Sequence, residues 1–375
     1  MLFLWNMLLG EGKMEKKYKV AVYAISKNEE KFVDRWYNSM KEADKIYVLD
    51  TGSSDKTVEL LQERGVLVKR LVIDPWRFDV ARNEALKMVD EDIDICVSTD
   101  LDEVFLPGWR EKLDNIWNDK MTRVRYTYNW RLENEKPLVS FLYDKIHSRD
   151  NYKWIYPVHE VLKCSNEEVY GIDEEIILNH YPDVSKSRDG YLKLLELSVK
   201  ENPMDDRNWH YLGREYMYQK RWEECIETLK KHLLLENATW LDERAASMRY
   251  IGRSYFNLGK MDEAREWYMR AINEAPYLRD GYVEMAIFSY HMEDYLAVIN
   301  NLILAKTIKE HEKTYINEIF SWDYTIDNLL SVSFYNLGLY EEALFFIDKA
   351  IKVDKNNQML QDNREIIYRV MNMNI

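Results

Sequence analysis

Ile93-Asp94-Ile95-Cys96-Val97-Ser98-Thr99-Asp100-Leu101-Asp102-Glu103 runs from an apolar stretch into a cluster of carboxylates. The reading is a buried strand over Ile93 to Val97 with two aspartates at its end. Alternation along an extended chain points Asp100 and Asp102 to the same side. Paired carboxylates at a strand end suit Mg²⁺ or Mn²⁺, hard cations that take oxygen ligands and leave room for substrate phosphates. A lone Asp-X-Asp is a short pattern and also fits a solvated acidic turn. The preceding chain weighs against that bland reading.

Upstream, Val20 to Ile25 is an apolar run of strand length, followed by Ser26-Lys27-Asn28-Glu29-Glu30 and a helical pattern through Phe32, Val33, Trp36 and Met40. Ile46 to Leu49 is a second strand, ending in Asp50-Thr51-Gly52-Ser53-Ser54-Asp55. A helix over Thr57 to Arg64 stops at Gly65. Val66 to Val72 reads as a third strand and Phe78 to Met88 as a helix. Strands alternating with helices at short spacing imply a parallel α/β sheet. Ligands of such sheets bind at the carboxyl ends of the strands. Asn28 with Glu29, Asp50 with Asp55, and Asp100 with Asp102 all fall there. Any one could be a helix N-cap; the three together read as one site.

Downstream, Met121 to Trp130 alternates arginine and aromatic residues, as in a strand with one wet face. Lys153 to Leu162 is rich in Trp and Tyr and contains His159-Glu160; Ile176 to Pro182 contains His180. This pairing suggests an acceptor-side wall. From about Arg188 the pattern becomes helical and repetitive. Trp209-X2-Leu212-Gly213-X2-Tyr216 matches the opening of the tetratricopeptide pattern. A better copy runs through Ile251, Gly252, Tyr255, Ala264, Tyr268, Ala271 and Pro276. Looser copies include Met285, Ala286, Val298, Leu302 and Ala305, then Leu330, Phe334, Ala343, Ile347 and Ala350. Small residues let paired helices approach, and stacked pairs share one core. The expected organisation is a catalytic α/β domain over 14–185 and an all-α repeat domain over 186–375.

Composition sets outer limits. The 375 residues suffice for two domains, and at 46% hydrophobic they can fill two cores. A net charge of −14 weighs against nonspecific nucleic-acid binding, which needs a basic face. Cys96, Cys164 and Cys225 lack metal-site spacing and fit free thiols in a reducing cytoplasm. Residues 1–13 contain the run Met1-Leu2-Phe3-Leu4-Trp5 but no basic n-region or cleavage site. They are too short to span a membrane. Gly10-Glu11-Gly12-Lys13-Met14 can be encoded by a purine-rich stretch before a start codon, so translation is expected to begin at Met14.

The ordered set Asn28-Glu29-Glu30, Asp50-Thr51-Gly52-Ser53-Ser54-Asp55-Lys56-Thr57, Phe78-Asp79-Val80-Ala81-Arg82-Asn83 and Asp100-Leu101-Asp102 resembles family 2 glycosyltransferases of the GT-A fold. Val158-His159-Glu160 and Asn179-His180-Tyr181 are similar to the bacterial branch with tetratricopeptide repeats behind the catalytic domain. That branch includes enzymes that glycosylate Ser or Cys of bacteriocin peptides (glycocins). The resemblance implies an inverting, metal-dependent transfer from a nucleotide-sugar, such as a UDP-hexose. It places Asp102 on Mn²⁺ or Mg²⁺, with His180 as a further ligand. It places Ile25, Asn28, Glu29, Asp50, Asp79 and Asp100 by the donor and Arg82 at its phosphates. Glu160 is the expected catalytic base, raised towards a working pKa by its aromatic surroundings, with Asp144 in reserve. Trp154, Tyr156 and His159 are expected on the acceptor side. Glu103 is an extra carboxylate that either supports the metal ligands or competes with them.

Three alternatives remain open. The chain could glycosylate cell-envelope polysaccharide or a lipopolysaccharide core. It could be a nucleotidyltransferase on the same scaffold, although Ser26-Lys27-Asn28-Glu29 lacks the Gly-rich basic loop such an enzyme usually needs. It could be a scaffold whose front domain has degenerated. The repeats are expected to bind a peptide or protein acceptor or to mediate a homodimer.

Overall fold

The computed structural model describes residues 18–183, 190–310 and 313–373. The expected leader and the proposed Met14 start lie outside them. The chain divides into two compact units, 1–186 and 187–375.

The first unit runs β1 (Val20–Ser26), α1 (Val33–Met40), β2 (Lys45–Asp50), α2 (Thr57–Glu63), β3 (Leu67–Arg70), α3 (Phe78–Leu86) and β4 (Ile95–Thr99). It continues with β5 (Glu103–Phe105), α4 (Trp109–Ile116), β6 (Arg123–Glu133), β7 (Lys136–Ser148), β8 (Tyr152–Ile155), β9 (Val161–Cys164) and β10 (Tyr170–His180). Eight strands form one sheet in the order β3-β2-β1-β4-β7-β6-β10-β5, and β8 and β9 form a separate hairpin. The β3-β2-β1-β4 half is parallel, while β7 runs antiparallel to both β4 and β6. Alternate residues of β1 serve different cores, because a parallel strand is covered on both faces. Val20, Val22 and Ala24 pack with Trp36, Met40 and Trp109. Ala21 and Tyr23 pack with Ala81, Cys96 and Trp154.

Two details of the sequence reading change. The third strand is shorter than Val66 to Val72, consistent with a poorly buried sheet edge. The fourth begins at Ile95, where its ladder with Val20 starts; Ile93 instead closes a turn by donating to the Asp90 carbonyl at 3.3 Å. Its end moves accordingly to Thr99, so Asp100 to Asp102 form a turn. Strand alternation therefore does not relate the two aspartates.

The described residues of the second unit form helices joined by turns: α5 (Tyr191–Glu201), α6 (Asp206–Tyr218), α7 (Trp222–Leu234), α8 (Leu241–Asn257), α9 (Met261–Glu274), α10 (Arg279–His291), α11 (Tyr295–Thr307), a 3₁₀ turn (Ile319–Ser321), α12 (Thr325–Asn336), α13 (Tyr340–Val353) and α14 (Gln358–Met373). The four repeat copies are the pairs α6/α7, α8/α9, α10/α11 and α12/α13, each packed as a hairpin. The motif glycines mark the close approaches. A Cβ on Gly213 would meet Leu229 Cδ2 at 2.2 Å, and one on Gly252 would meet the Tyr268 ring at 2.8 Å. No described helix is long and apolar enough to cross a membrane.

Gly213→Val should overpack the α6/α7 contact and cost about 1–3 kcal/mol, more than a side chain there gains in helix propensity. Urea unfolding of the purified chain reads the loss; an unchanged midpoint would mean that α7 yields freely at Leu229.

Candidate active site

Register brings the predicted clusters together. Ser26 lies beside Asp50 across β1/β2, and Ala24 lies beside Thr99 across β1/β4. The loops after β1, β2 and β4 therefore leave the same end of the sheet, the ligand end of a parallel array.

The first two loops are fastened to each other. The Asn28 amide donates to Ser53 Oγ at 2.8 Å, and the Ser54 amide donates to Asn28 Oδ1 at 2.8 Å. The Glu29 amide donates to Thr57 Oγ1 at 2.7 Å. Asn28 takes a left-handed backbone, φ 56°, which asparagine tolerates better than most residues. Asp50 is fully buried and organises its own loop, accepting from Ser26 Oγ at 3.1 Å and from the Gly52 and Ser53 amides at 3.2 and 3.0 Å. Ser53 Oγ and Arg70 Nε also donate to it. Asp50, expected by the donor, has both oxygens engaged within its own loop, and among its partners Gly52 and Arg70 are exposed. Ile25 is half-buried at the end of β1. Asp79 is buried in the first turn of α3 and forms a two-pronged pair with Arg77, at 3.0 and 2.9 Å, rather than lying open to a donor.

Arg82, one turn further along α3, is the centre of the third group. Its side chain is 5% exposed. Nη2 donates to both Asp100 oxygens, at 2.8 and 3.1 Å, and Nε donates to Glu160. Nη1 is buried with no hydrogen-bond partner among the described residues. Lys145 Nζ reaches Asp100 Oδ2 at 3.4 Å and Glu103 Oε1 at 3.8 Å. Burial works against the charged form of all three groups. Even so, Arg82 and Lys145 hold the Asp100 carboxyl well below the usual range, while Asp100 holds the two cations well above theirs.

Glu103 settles as a loop-former. It accepts from the Asp100 amide at 2.9 Å and from the Tyr128 hydroxyl at 2.9 Å. Burial pushes its carboxyl up, and Lys145 opposes the shift. β5 pairs with β10 so that Glu103 faces His180, which brings His180 Nε2 to 3.4 Å from Asp102 Oδ2. His180 Nδ1 is fixed on the Trp130 carbonyl at 3.0 Å. With Nδ1 as that donor, the neutral ring turns its Nε2 lone pair towards the Asp102 carboxylate. Burial pulls the His180 pKa down, but the Asp102 hydrogen bond and charge more than offset this and raise it. Neighbouring ligands of an octahedral Mn²⁺ or Mg²⁺ at about 2.1 Å lie about 3.0 Å apart, so a small closure of this pair would let both reach one such cation. The Nδ1 contact is the outer-shell bond that orients a ligating histidine.

The remaining expectations divide. Glu160 does join the site, but its close partner is the Arg82 guanidinium, not only an aromatic wall. Asp144 belongs to another network: it lies 3.6 Å from Arg123, which also binds Glu168 at 2.9 Å. Trp154 is not an open acceptor platform. It is 2% exposed, and its indole N–H donates to Tyr23 Oη at 2.8 Å. Tyr156 and His159 are half-buried in the loop before β9, with φ of 78° and 51°. The sequence reading missed Lys145. Two residues of β6 (Val124, Tyr126) span three intervals of β7 (Tyr143 to Ile146), so β7 bulges at this lysine, and bulges re-aim side chains. No local spacing announces a partner 45 residues away.

Residues 22–153 match the family model "Glycosyl transferase family 2". Residues 251–290 and 328–357 match the model "Tetratricopeptide repeat". The first unit thus carries a family 2 glycosyltransferase domain, which supports glycosyltransferase activity, and the second carries tetratricopeptide repeats. No curated protein matches the chain. Partly similar solved structures include "Crystal structure of MamA", at 19% identity over 47% of this chain and 96% of that one, TM-score 0.37. Another is "Crystal structure of APC/C hetero-tetramer Cut9-Hcn1", at 13% identity over 49% and 33%, TM-score 0.38. A third is "Functional Characterization of Pseudomonas Aeruginosa pilF", at 14% over 45% and 70%, TM-score 0.36.

Beneath the site, Trp154 donates to Tyr23 Oη, the Tyr23 hydroxyl donates to His147 Nε2 at 2.9 Å, and His147 Nδ1 donates to the Ser148 carbonyl at 2.7 Å. This chain requires a neutral imidazole, and burial lowers the His147 pKa to about 3. The unfolded chain, with its histidine near 6.5, binds the extra proton between these values. Stability is therefore lost as pH falls from about 6.5 towards 3, by about 1.4 kcal/mol per pH unit for this group. Urea unfolding of wild type and His147→Gln between pH 7 and 4.5 should show the variant's slope shallower by about one proton. Parallel slopes would contradict a neutral His147.

Proposed function

We propose that the chain is an inverting, divalent-metal-dependent glycosyltransferase that moves a hexose from a UDP-sugar to a Ser or Cys side chain of a peptide. The reading rests on the buried Arg82 fork: it joins Asp100 and Glu160 and keeps one donor, Nη1, uncommitted beside the strand ends. A diphosphate oxygen is a fitting acceptor for that donor.

Charge balance supports metal dependence. Arg82 and Lys145 pair with Asp100, Glu103 and Glu160, and Asp102 adds a fourth carboxyl group beside His180, so acidic side chains outnumber basic ones. A nucleoside diphosphate adds further negative charge, so its binding calls for another cation. Asp102 and His180 would hold Mn²⁺ or Mg²⁺, and the bound ion would neutralise charge on the departing diphosphate. Asn28 and Glu29, on the fastened loop pair, stand by the nucleoside, and Ile25 flanks it. The acceptor hydroxyl or thiol attacks the anomeric carbon from the face opposite the diphosphate. A bond from acceptor to C1 forms, the C1–O bond to the diphosphate breaks, and the acceptor proton passes to Glu160. Tyr156 and His159 hold left-handed backbone next to Glu160, a local strain often found at functional sites. A thiol acceptor needs less help from the base than a hydroxyl. The repeat unit favours a peptide or protein acceptor, because stacked helical repeats offer extended binding surfaces.

Release of nucleoside diphosphate from a panel of UDP-, GDP- and dTDP-sugars, with Mn²⁺ or Mg²⁺ and with EDTA, tests the class and identifies the donor. One donor should turn over, only with metal, and Asp102→Ala should lower its rate by ~10²-fold or more. Glu160→Gln should lower transfer by ~10²–10⁴-fold while still binding UDP. Arg82→Lys keeps the charge but loses the fork, and should weaken UDP binding. EDTA-insensitive turnover, or full activity of Asp102→Ala, would remove the metal assignment.

A further inference from the structure

We propose a second divalent-cation site, inside the repeat unit, formed by Asp206, His232 and Glu243. These come from three helices: Asp206 opens α6, His232 lies in the last turn of α7, and Glu243 lies in the first turn of α8. One ligand atom from each can be chosen so that all three lie within 4.8 Å of one another.

Three observations point to a missing ion. His232 is fully buried, and its Nε2 has no hydrogen-bond partner among the described residues. That nitrogen lies 3.4 Å from Glu243 Oε1, close to the roughly 3.3 Å between two ligands of a tetrahedral ion. The carboxylates are also held from outside, as ligating carboxylates usually are. Asn237 Nδ2 donates to Asp206 Oδ1 at 3.1 Å, and the Tyr315 hydroxyl donates to Glu243 Oε2. Glu243 keeps its other oxygen, Oε1, on the His232 side.

A serine relay can set the required tautomer. Ser247 Oγ lies 2.8 Å from His210 Nδ1 and 3.0 Å from His232 Nδ1. One hydroxyl can donate to only one of these rings. If Ser247 donates to His210, His232 Nδ1 donates to Ser247, and the neutral His232 presents its Nε2 lone pair to Asp206 and Glu243. His210 is fully buried as well, and as a neutral ring it can accept that bond at Nδ1.

One imidazole and two carboxylates suit Zn²⁺ and neighbouring transition metals better than Mg²⁺, which prefers an all-oxygen octahedron. Its two charges would balance the carboxylates. Bound there, the ion would staple the first full repeat, α6/α7, to the start of the next.

The test uses the full chain carrying Asp102→Asn and His180→Gln, which removes the other candidate metal pair and makes the result independent of the proposed catalysis. After dialysis against chelator, this protein should take up one Zn²⁺ per chain by calorimetry, and its unfolding temperature should rise by several degrees. His232→Gln on that background should abolish uptake with unchanged far-UV circular dichroism. No uptake by the folded background protein, or undiminished uptake by the folded His232→Gln protein, would overturn the site. Should His232→Gln fail to fold, Glu243→Gln replaces it, and the background protein's unfolding temperature with and without Zn²⁺ decides: a rise supports the site, and no rise overturns it.

Discussion

A guanidinium buried between two carboxylates organises the catalytic end of this chain. Taking charges out of water costs several kcal/mol per ion, and only close pairing with further hydrogen bonds repays it. Arg82 meets that condition with Asp100 and Glu160, and Lys145 adds a second cation on Asp100. Losing Arg82 outright would strip Glu160 of its close cation and leave Asp100 with Lys145 alone, a loss on the order of 3–5 kcal/mol. The group also joins three parts of the fold: α3, the turn after β4 and the loop before β9. Its position is therefore over-determined, as a site needs if donors are to stand ready before the substrate arrives.

Around it the sheet divides the work. The parallel half, β3 to β4, places three loop ends side by side through register alone. The antiparallel half brings in residues from far along the sequence: Lys145 through the β7 bulge and His180 through the β5/β10 pair. Glu103 and Tyr128 lock the acidic turn from below. Much of the carboxylate density at Asp100 to Glu103 thus serves the loop's own geometry, leaving Asp102 and His180 as a separate, half-buried pair.

The repeat unit follows a different physical logic. Its helices are placed by small residues, Gly213 under Leu229 and Gly252 under Tyr268, and its cores pass from one helix pair to the next. Polar groups lie buried within it as well. Arg249 and Arg253 pair with Glu284 and Glu318, and the His210–Ser247–His232 relay ends at Glu243. Such networks fix one arrangement when fully satisfied and are costly when one partner is missing.

The sequence by itself determined the alternation of elements, the repeat pattern and the kinds of residue at the strand ends. Those depend on local periodicity, turn chemistry and short motifs, which are written in neighbouring positions. It pointed to Arg82 and Asp102 through the ordered motif set, and to Glu160 and His180 through the two later motifs. It misjudged the two aspartates as strand neighbours, because the ladder with β1 ends at Thr99 and the chain turns there. It overstated Asp50, Asp79 and Trp154, because composition does not reveal that a polar or aromatic group already has its partners. It missed Lys145. Which charges meet across 45 or more residues depends on register, bulges and helix stacking, and only the tertiary structure fixes those.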